Sequence, residues 1–154
     1  METEHITLRR YQPGDLDAMY ALDVACFAKP FRFTRGAMRR FAEAANAQVV
    51  IAEAQAALAG FCIVHLENFR GGPVGYVVTL DVAPEHRRRG IARALMAEAE
   101  RQAAATGCTA MALHVYTGNA AAIRFYAGCG FVYARPASGF YGPGLDAEVW
   151  RKEL

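Results

Sequence analysis

His114, Tyr126 and the run Arg87-Arg88-Arg89-Gly90 are residues whose types and spacing can do chemistry. The segment from Thr79 to Ala92, TLDVAPEHRRRGIA, leads from a β-rich stretch into an apolar-periodic run that reads as a helix. Pro84 stops strand pairing, Gly90 lets the backbone come close to a ligand, and the first amides of the following helix lack internal acceptors. Those amides and the positive helix end can hold phosphate oxygens, worth about 0.3–1 kcal/mol for an exposed anion. Three arginines raise the local potential, and a pyrophosphate is a natural occupant. Taken alone, the arginines also fit a solvated charge run or a nucleic-acid patch. His114 lies in the strand-like Leu113-His114-Val115. An imidazole with an ordinary pKa of about 6.5 accepts protons at neutral pH, although a strand histidine also serves structure. Tyr126 follows Asn119 by seven residues, about two helical turns, so the two project from related faces. Asn119 can cap that helix, while Tyr126 offers either a phenolic proton or a packing ring beside Phe125.

The elements that must position these residues follow from periodicity and punctuation. Ile6 to Arg10 alternates like a strand, and Pro13-Gly14 breaks it before a helical run from Asp15, a candidate cap, to Phe27. Thr34 caps a second helix through about Ala45, with Met38 and Phe41 on its apolar side; Phe31 and Phe33 sit in the joint. Gln48–Ala54 and Leu58–Leu66, joined by Gln55-Ala56-Ala57, read as an antiparallel hairpin, with a further turn at Gly71-Gly72-Pro73. The second half runs as strand Gly75–Val82, helix Gly90–Thr106 ending at Gly107, strand Ala110–Tyr116 and helix Asn119–Ala127. After Gly128 or Gly130 comes a strand from Phe131, then a Gly142-Pro143-Gly144 turn and a last strand, Glu148–Lys152. The strand–helix–strand order favours one parallel pair with a right-handed crossover.

The 154 residues, 54% hydrophobic and 21% charged, fit one domain spanning 1–154 with a full core, and are too few for two enzyme domains. Seventeen basic against fifteen acidic side chains argue against a polyanion-coated surface, so no nucleic-acid partner is expected and anion binding must be local. Cys26, Cys62, Cys108 and Cys129 are far apart with no zinc-finger spacing, which implies reduced thiols and no metal. The charged start METEHITLRR lacks a secretory apolar stretch, and Ala47–Leu66 is interrupted by Gln48, Glu53 and Gln55; a cytoplasmic protein without membrane partner is the expectation.

Arg87-x-x-Gly90-x-Ala92 after Val-Ala-Pro resembles the acetyl-CoA signature of the GNAT superfamily of N-acetyltransferases. Leu-His-Val at 113–115, Asn119 with Ala122, Phe125-Tyr126 and Gly130-Phe131 resemble the superfamily's later strand, helix and strand in order. The resemblance is firm from about Val77 to Phe131. Within it the chain is similar to RimI-like and other protein amino-terminal acetyltransferases. The aromatic joint Phe31–Thr34 and the Phe140-Tyr141-Gly142 with Asp146-Ala147 ending carry that likeness; Phe140 stands where those proteins have a first tyrosine.

The resemblance implies a mixed α/β GNAT-like fold, a central twisted, largely antiparallel sheet flanked by helices. It also implies acetyl-CoA as acyl donor. The exposed backbone of Leu80, Asp81 and Val82 would hold the pantetheine arm as an added strand would, Arg87, Arg88, Arg89, Gly90, Ile91 and Ala92 the pyrophosphate, and Asn119 and Tyr126 would help order the donor. The thioester would lie near the carboxyl ends of the two parallel strands. Tyr126 becomes the acid for the departing sulfur. RimI-like enzymes usually have glutamate as base where this chain has His114, and the Leu-His-Val of some eukaryotic relatives matches better; Asp81 or an ordered water remain alternative bases. Phe31, Tyr76 and Tyr141 are implied acceptor residues, with Glu67 a further loop candidate. The implied partner is a peptide or small-molecule amine, attacking directly in a ternary complex; a small-amine or antibiotic acetyltransferase and a noncatalytic acyl-CoA-sensing module are the alternatives, and monomer or homodimer stays open.

Overall fold

A computed structural model describes residues 5–154. Seven strands form one sheet: β1 (Ile6–Arg10), β2 (Ala47–Ala54), β3 (Ala57–Phe69), β4 (Gly72–Val82), β5 (Ala110–Tyr116), β6 (Val132–Ala137) and β7 (Ala147–Glu153). Their order is β1-β2-β3-β4-β5-β7-β6, and every neighbouring pair is antiparallel except β4–β5. The expected mixed sheet with one parallel pair is therefore present. The helices are α1 (Leu16–Cys26), α2 (Arg35–Ala42), α3 (Ile91–Ala105) and α4 (Ala120–Gly128).

The sheet separates two apolar cores. Ile91, Leu95, Ala99 and Ala103 recur every four residues along α3 and, with Met96, bury one stripe against Val50, Cys62, Val64, Val77 and Leu113. On the other face, Leu16, Met19 and Leu22 of α1 and Met38 and Ala42 of α2 meet Ile51, Phe61 and Ile63. Fully burying a side chain such as Leu95 stabilises by about 1.5–3 kcal/mol.

Four expectations are corrected. Asp15 stands at the N-cap position of α1 without capping it: its Oδ2 accepts from the Gln12 amide at 2.8 Å, and its carboxylate holds Arg9 at 2.7 and 2.9 Å. A charge-assisted fork outcompetes a helix amide. The second helix stops at Ala42 rather than near Ala45, although Thr34 Oγ1 does accept from Ala37 N at 3.1 Å. The β2–β3 turn is two residues long, Gln55 and Ala56, both left-handed without a glycine (φ 54° and 63°), and β4 begins at Gly72, not Gly75.

A departure from strict alternation matters most for the site. Strict alternation along β4 places Tyr76 with Val78, Leu80 and Val82. The β3–β4 register instead skips Val78, passing from Val64↔Val77 to Ile63↔Thr79. This one-residue bulge resets the alternation. Tyr76, opposite His65, and Asp81, opposite Phe61, thereby share the α1–α2 face, while Leu80 and Val82 join the α3 core.

Candidate active site

The side of the site expected to hold the donor is built from backbone. β4 and β5 pair only from Val74↔Ala110 to Val77↔Leu113, although β4 continues to Val82 and β5 to Tyr116. Beyond that point the strands part, and among the described residues the β4 edge at Leu80, Asp81 and Val82 has no strand partner on its β5 side. At the end of β4, Pro84 starts a short 3-10 turn, followed by two left-handed residues, Arg88 (φ 65°) and Gly90 (φ 81°), immediately before Ile91 opens α3. A left-handed arginine is uncommon and strained. Alternation of this kind turns successive amides into a concavity that suits anions. A Cβ on Gly90 would meet nothing within 4 Å, so within the chain it is the backbone angle that calls for glycine there. Arg87, Arg88 and Arg89 are exposed around this turn, Ile91 is buried and Ala92 half-buried. Arg87 Nε also donates to the Val82 carbonyl at 3.3 Å.

The side expected to hold the acceptor is built from side chains of four segments. Tyr76 of β4 and His114 of β5 lie where the strands begin to part, and Tyr76 Oη is 2.8 Å from His114 Nδ1. Phe140 stacks on the His114 ring at 3.8 Å between centroids and 6° between planes, and Tyr141 Oη donates to the His114 carbonyl at 3.3 Å. Phe31, from the α1–α2 connection, packs on Tyr116 at 4.9 Å and Tyr141 at 5.1 Å. The β6–β7 loop that delivers Phe140 and Tyr141 is closed by Asp146, whose Oδ1 accepts from Gly139 N at 2.8 Å. A Cβ at Gly118 would collide with the Tyr116 ring, so only glycine lets that ring fold back over its own loop.

The electrostatics follow from this enclosure. Burial lowers the His114 pKa below its ordinary 6.5, with Arg135 adding a smaller repulsion. Burial pushes the Tyr76 phenol up to about 12. Both groups are therefore neutral at pH 7, and a single proton sits between Tyr76 Oη and His114 Nδ1. Tyr126, half-buried on α4 beside Phe125 and Phe131, also has its pKa raised, chiefly by burial. It stays protonated at any physiological pH. Asn119 Oδ1 accepts from Ala122 N at 3.1 Å and caps α4, as its position in the sequence implied.

Of the anticipated acceptor residues, Phe31, Tyr76 and Tyr141 converge with His114. Glu67 is half-buried on β3, opposite Val74. Asp81 is almost fully buried at 1% exposure, its carboxyl hydrogen-bonded to Thr79 and turned toward α1. The sequence reading missed Tyr116 and Asp23. Tyr116 is two residues from His114 on a strand and so shares its face. Asp23, with no exposure, is an acid on the stripe made by Met19 and Leu22; a charge on an apolar stripe is a signal in its own right.

Residues 16–131 match the acetyltransferase (GNAT) family. The N-alpha-acetyltransferase MAK3 of Arabidopsis thaliana is 32% identical over 83 residues, 54% of this chain and 42% of that protein. The match thus spans about two fifths of the length of that curated relative. NAA60 of Arabidopsis thaliana, solved in complex with acetyl-CoA, superposes with a TM-score of 0.85 at 23% identity, over 97% of this chain and 99% of the other. Nourseothricin acetyltransferase superposes with a TM-score of 0.79 at 28% identity, over 96% and 98%.

Proposed function

This chain belongs to the acetyltransferase (GNAT) family, and on that premise we propose that it transfers the acetyl group of acetyl-CoA to a primary amine, the amino terminus of a peptide or protein. The observation that carries the reading is the Tyr76–His114 pair at the mouth of the β4–β5 gap, roofed by Phe140 and walled by Phe31 and Tyr141. Bound acetyl-CoA supplies the activated acyl carbonyl. The free edge of Leu80, Asp81 and Val82 fits an extended pantetheine, and the left-handed turn before Ile91, with Arg87, Arg88, Arg89, Gly90 and Ala92, fits a diphosphate.

The proton leaves the acceptor through the pair. An amine whose N–H meets Tyr76 Oη can pass its proton to that oxygen while the phenolic proton moves to His114 Nδ1. The products are a neutral phenol and an imidazolium, and charge balances. Because His114 titrates below 6.5, it is already in the accepting form at neutral pH. Tyr126 is the donor toward the departing sulfur. A thiol has an ordinary pKa of about 8.5, below that of a phenol, and burial of Tyr126 widens the difference. A hydrogen bond from Tyr126 Oη to the sulfur therefore fits better than complete transfer. Direct attack suits the thiols as well: Cys62 and Cys108 are buried, and burial raises the pKa of Cys26 and of Cys129, so none of the four resembles an activated nucleophile.

A peptide acceptor is favoured by the MAK3 likeness and by the aromatic walls, which suit a first side chain. The 28% identity with nourseothricin acetyltransferase supports a small-amine acceptor as the second reading. Free coenzyme A release across a panel of peptides and small amines decides between them. Turnover on peptides with free amino termini is expected, and turnover confined to small amines would overturn the peptide assignment.

A further inference from the structure

Asp23 and Asp81 are two fully enclosed carboxyls, at 0% and 1% exposure, on facing elements, α1 and β4. One oxygen of each is satisfied: the Phe33 amide donates to Asp23 Oδ2 at 2.8 Å, and Thr79 Oγ1 donates to Asp81 Oδ1 at 2.5 Å. The remaining oxygens, Asp23 Oδ1 and Asp81 Oδ2, find no donor among the described residues, and the two carboxyls lie within hydrogen-bonding reach of each other. Two buried carboxylates in contact would repel and leave both oxygens unpartnered; one proton between them cures both defects. The charged and titratable groups around them are Arg87 from the β4–α3 turn, Cys26 of α1, Cys62 of β3 and Tyr126 of α4. Arg87 offsets the single negative charge that the shared proton leaves.

We infer that Asp23 and Asp81 share one buried proton, and that this proton pins the acceptor-facing α1–α2 connection to the donor-facing end of β4. The placement gives the pair its leverage. Asp23 holds the backbone of Phe33, two residues from Phe31 in the aromatic wall, and Asp81 lies between Leu80 and Val82. Cys26 reinforces the clamp by donating to the Val82 carbonyl at 3.4 Å. Asp81 is thereby a positioning residue, with its proton committed to Asp23 and not offered to an acceptor. The inference goes beyond the proposed acetyl transfer and needs it only for the expectation that β4 contacts coenzyme A.

Burial, and then Asp23, raises the Asp81 pKa above the ordinary 3.8. A group so raised contributes stability that is complete below the unfolded value and is lost as pH rises through the folded one. The full chain should therefore lose thermal stability from about pH 4 upward across that window relative to Asp81→Asn, whose amide donates to Asp23 at every pH. Asp23→Asn is the mirror variant should Asp81→Asn fail to fold. The dissociation constant for coenzyme A, measured by calorimetry, should rise severalfold on the alkaline side in the unsubstituted protein and stay flatter in Asp81→Asn. Infrared spectra at neutral pH should show one protonated-carboxyl band, sensitive to labelled aspartate and absent in the variant. Absence of that band from the unsubstituted protein, or parallel pH profiles of stability and coenzyme A affinity in the two proteins, would overturn the inference. The infrared and stability readings need no acyl transfer, so the inference can fail while the proposed function stands, and the reverse.

Discussion

The half of the site proposed for the donor and the half proposed for the acceptor, the donor and acceptor halves, are made of different material. The donor half is main chain: an unpaired strand edge and a left-handed turn before a buried helix start. The acceptor half is side chain: six rings, Phe31, Tyr76, His114, Tyr116, Phe140 and Tyr141, gathered from four separate segments. Main-chain groups bind whatever presents oxygens or an extended amide, so side chains there are free to vary. Side-chain groups select and react, so identity there decides function.

That division is open to attack by substitution. The largest effect is expected at the Tyr76–His114 pair, where His114→Ala should lower kcat by about 10²–10⁴-fold at neutral pH with coenzyme A affinity nearly unchanged. Tyr76→Phe added to it should cost little more, because both act through one hydrogen bond. Equal losses in kcat and in coenzyme A affinity would erase the distinction between the halves. The unsubstituted enzyme should also lose activity as pH falls through the lowered His114 pKa, where the imidazole becomes protonated; a kcat that is flat below pH 6.5 would remove His114 as base.

Tyr126→Phe tests the boundary between the halves. Loss of a hydrogen bond to a developing charge predicts a fall in kcat of about 10- to 100-fold with little change in coenzyme A binding. Unaltered turnover where chemistry limits the rate would leave only the ring packing against Phe125 and Phe131. On the donor side, Gly90→Ala must accept φ 81°, a strain of roughly 1–2 kcal/mol that predicts a 5- to 30-fold weaker coenzyme A complex. Turnover at saturation should survive. The smallest effect is expected for Arg88→Gly, which deletes one exposed charge while relieving φ 65°: coenzyme A affinity should change by less than about fivefold, and less still at high salt.

The same contrast explains what could be read without coordinates. Gly90, Pro84, Thr34 and Asn119 act within a few residues of themselves, so their roles follow from local spacing, and β1, β5 and the parallel pair were placed well. The acceptor cluster depends on a nine-residue loop, 138–146, returning over the end of β5, which no local rule dictates. Asp15 shows local and distant forces in competition: Arg9, six residues back, takes the carboxylate that the helix would have used. Asp23 and Asp81 are 58 positions apart, and only the packing of α1 on β4 makes them one unit. Tyr76 is tied to His114 by family likeness, while strict alternation would put it on the face of Leu80 and Val82, because a bulge leaves no mark in composition.

The extra residue at Val78 has a consequence for how this chain can change over time. Substitutions along β4 alter one contact each, and loss of the Val78 codon would remove only the unpaired residue, leaving Leu80 opposite Cys62 and Asp81 opposite Phe61; gain of one codon after Thr79 would instead exchange Leu80 with Asp81 between oil and acid. This strand should therefore tolerate shortening by its one spare residue better than lengthening.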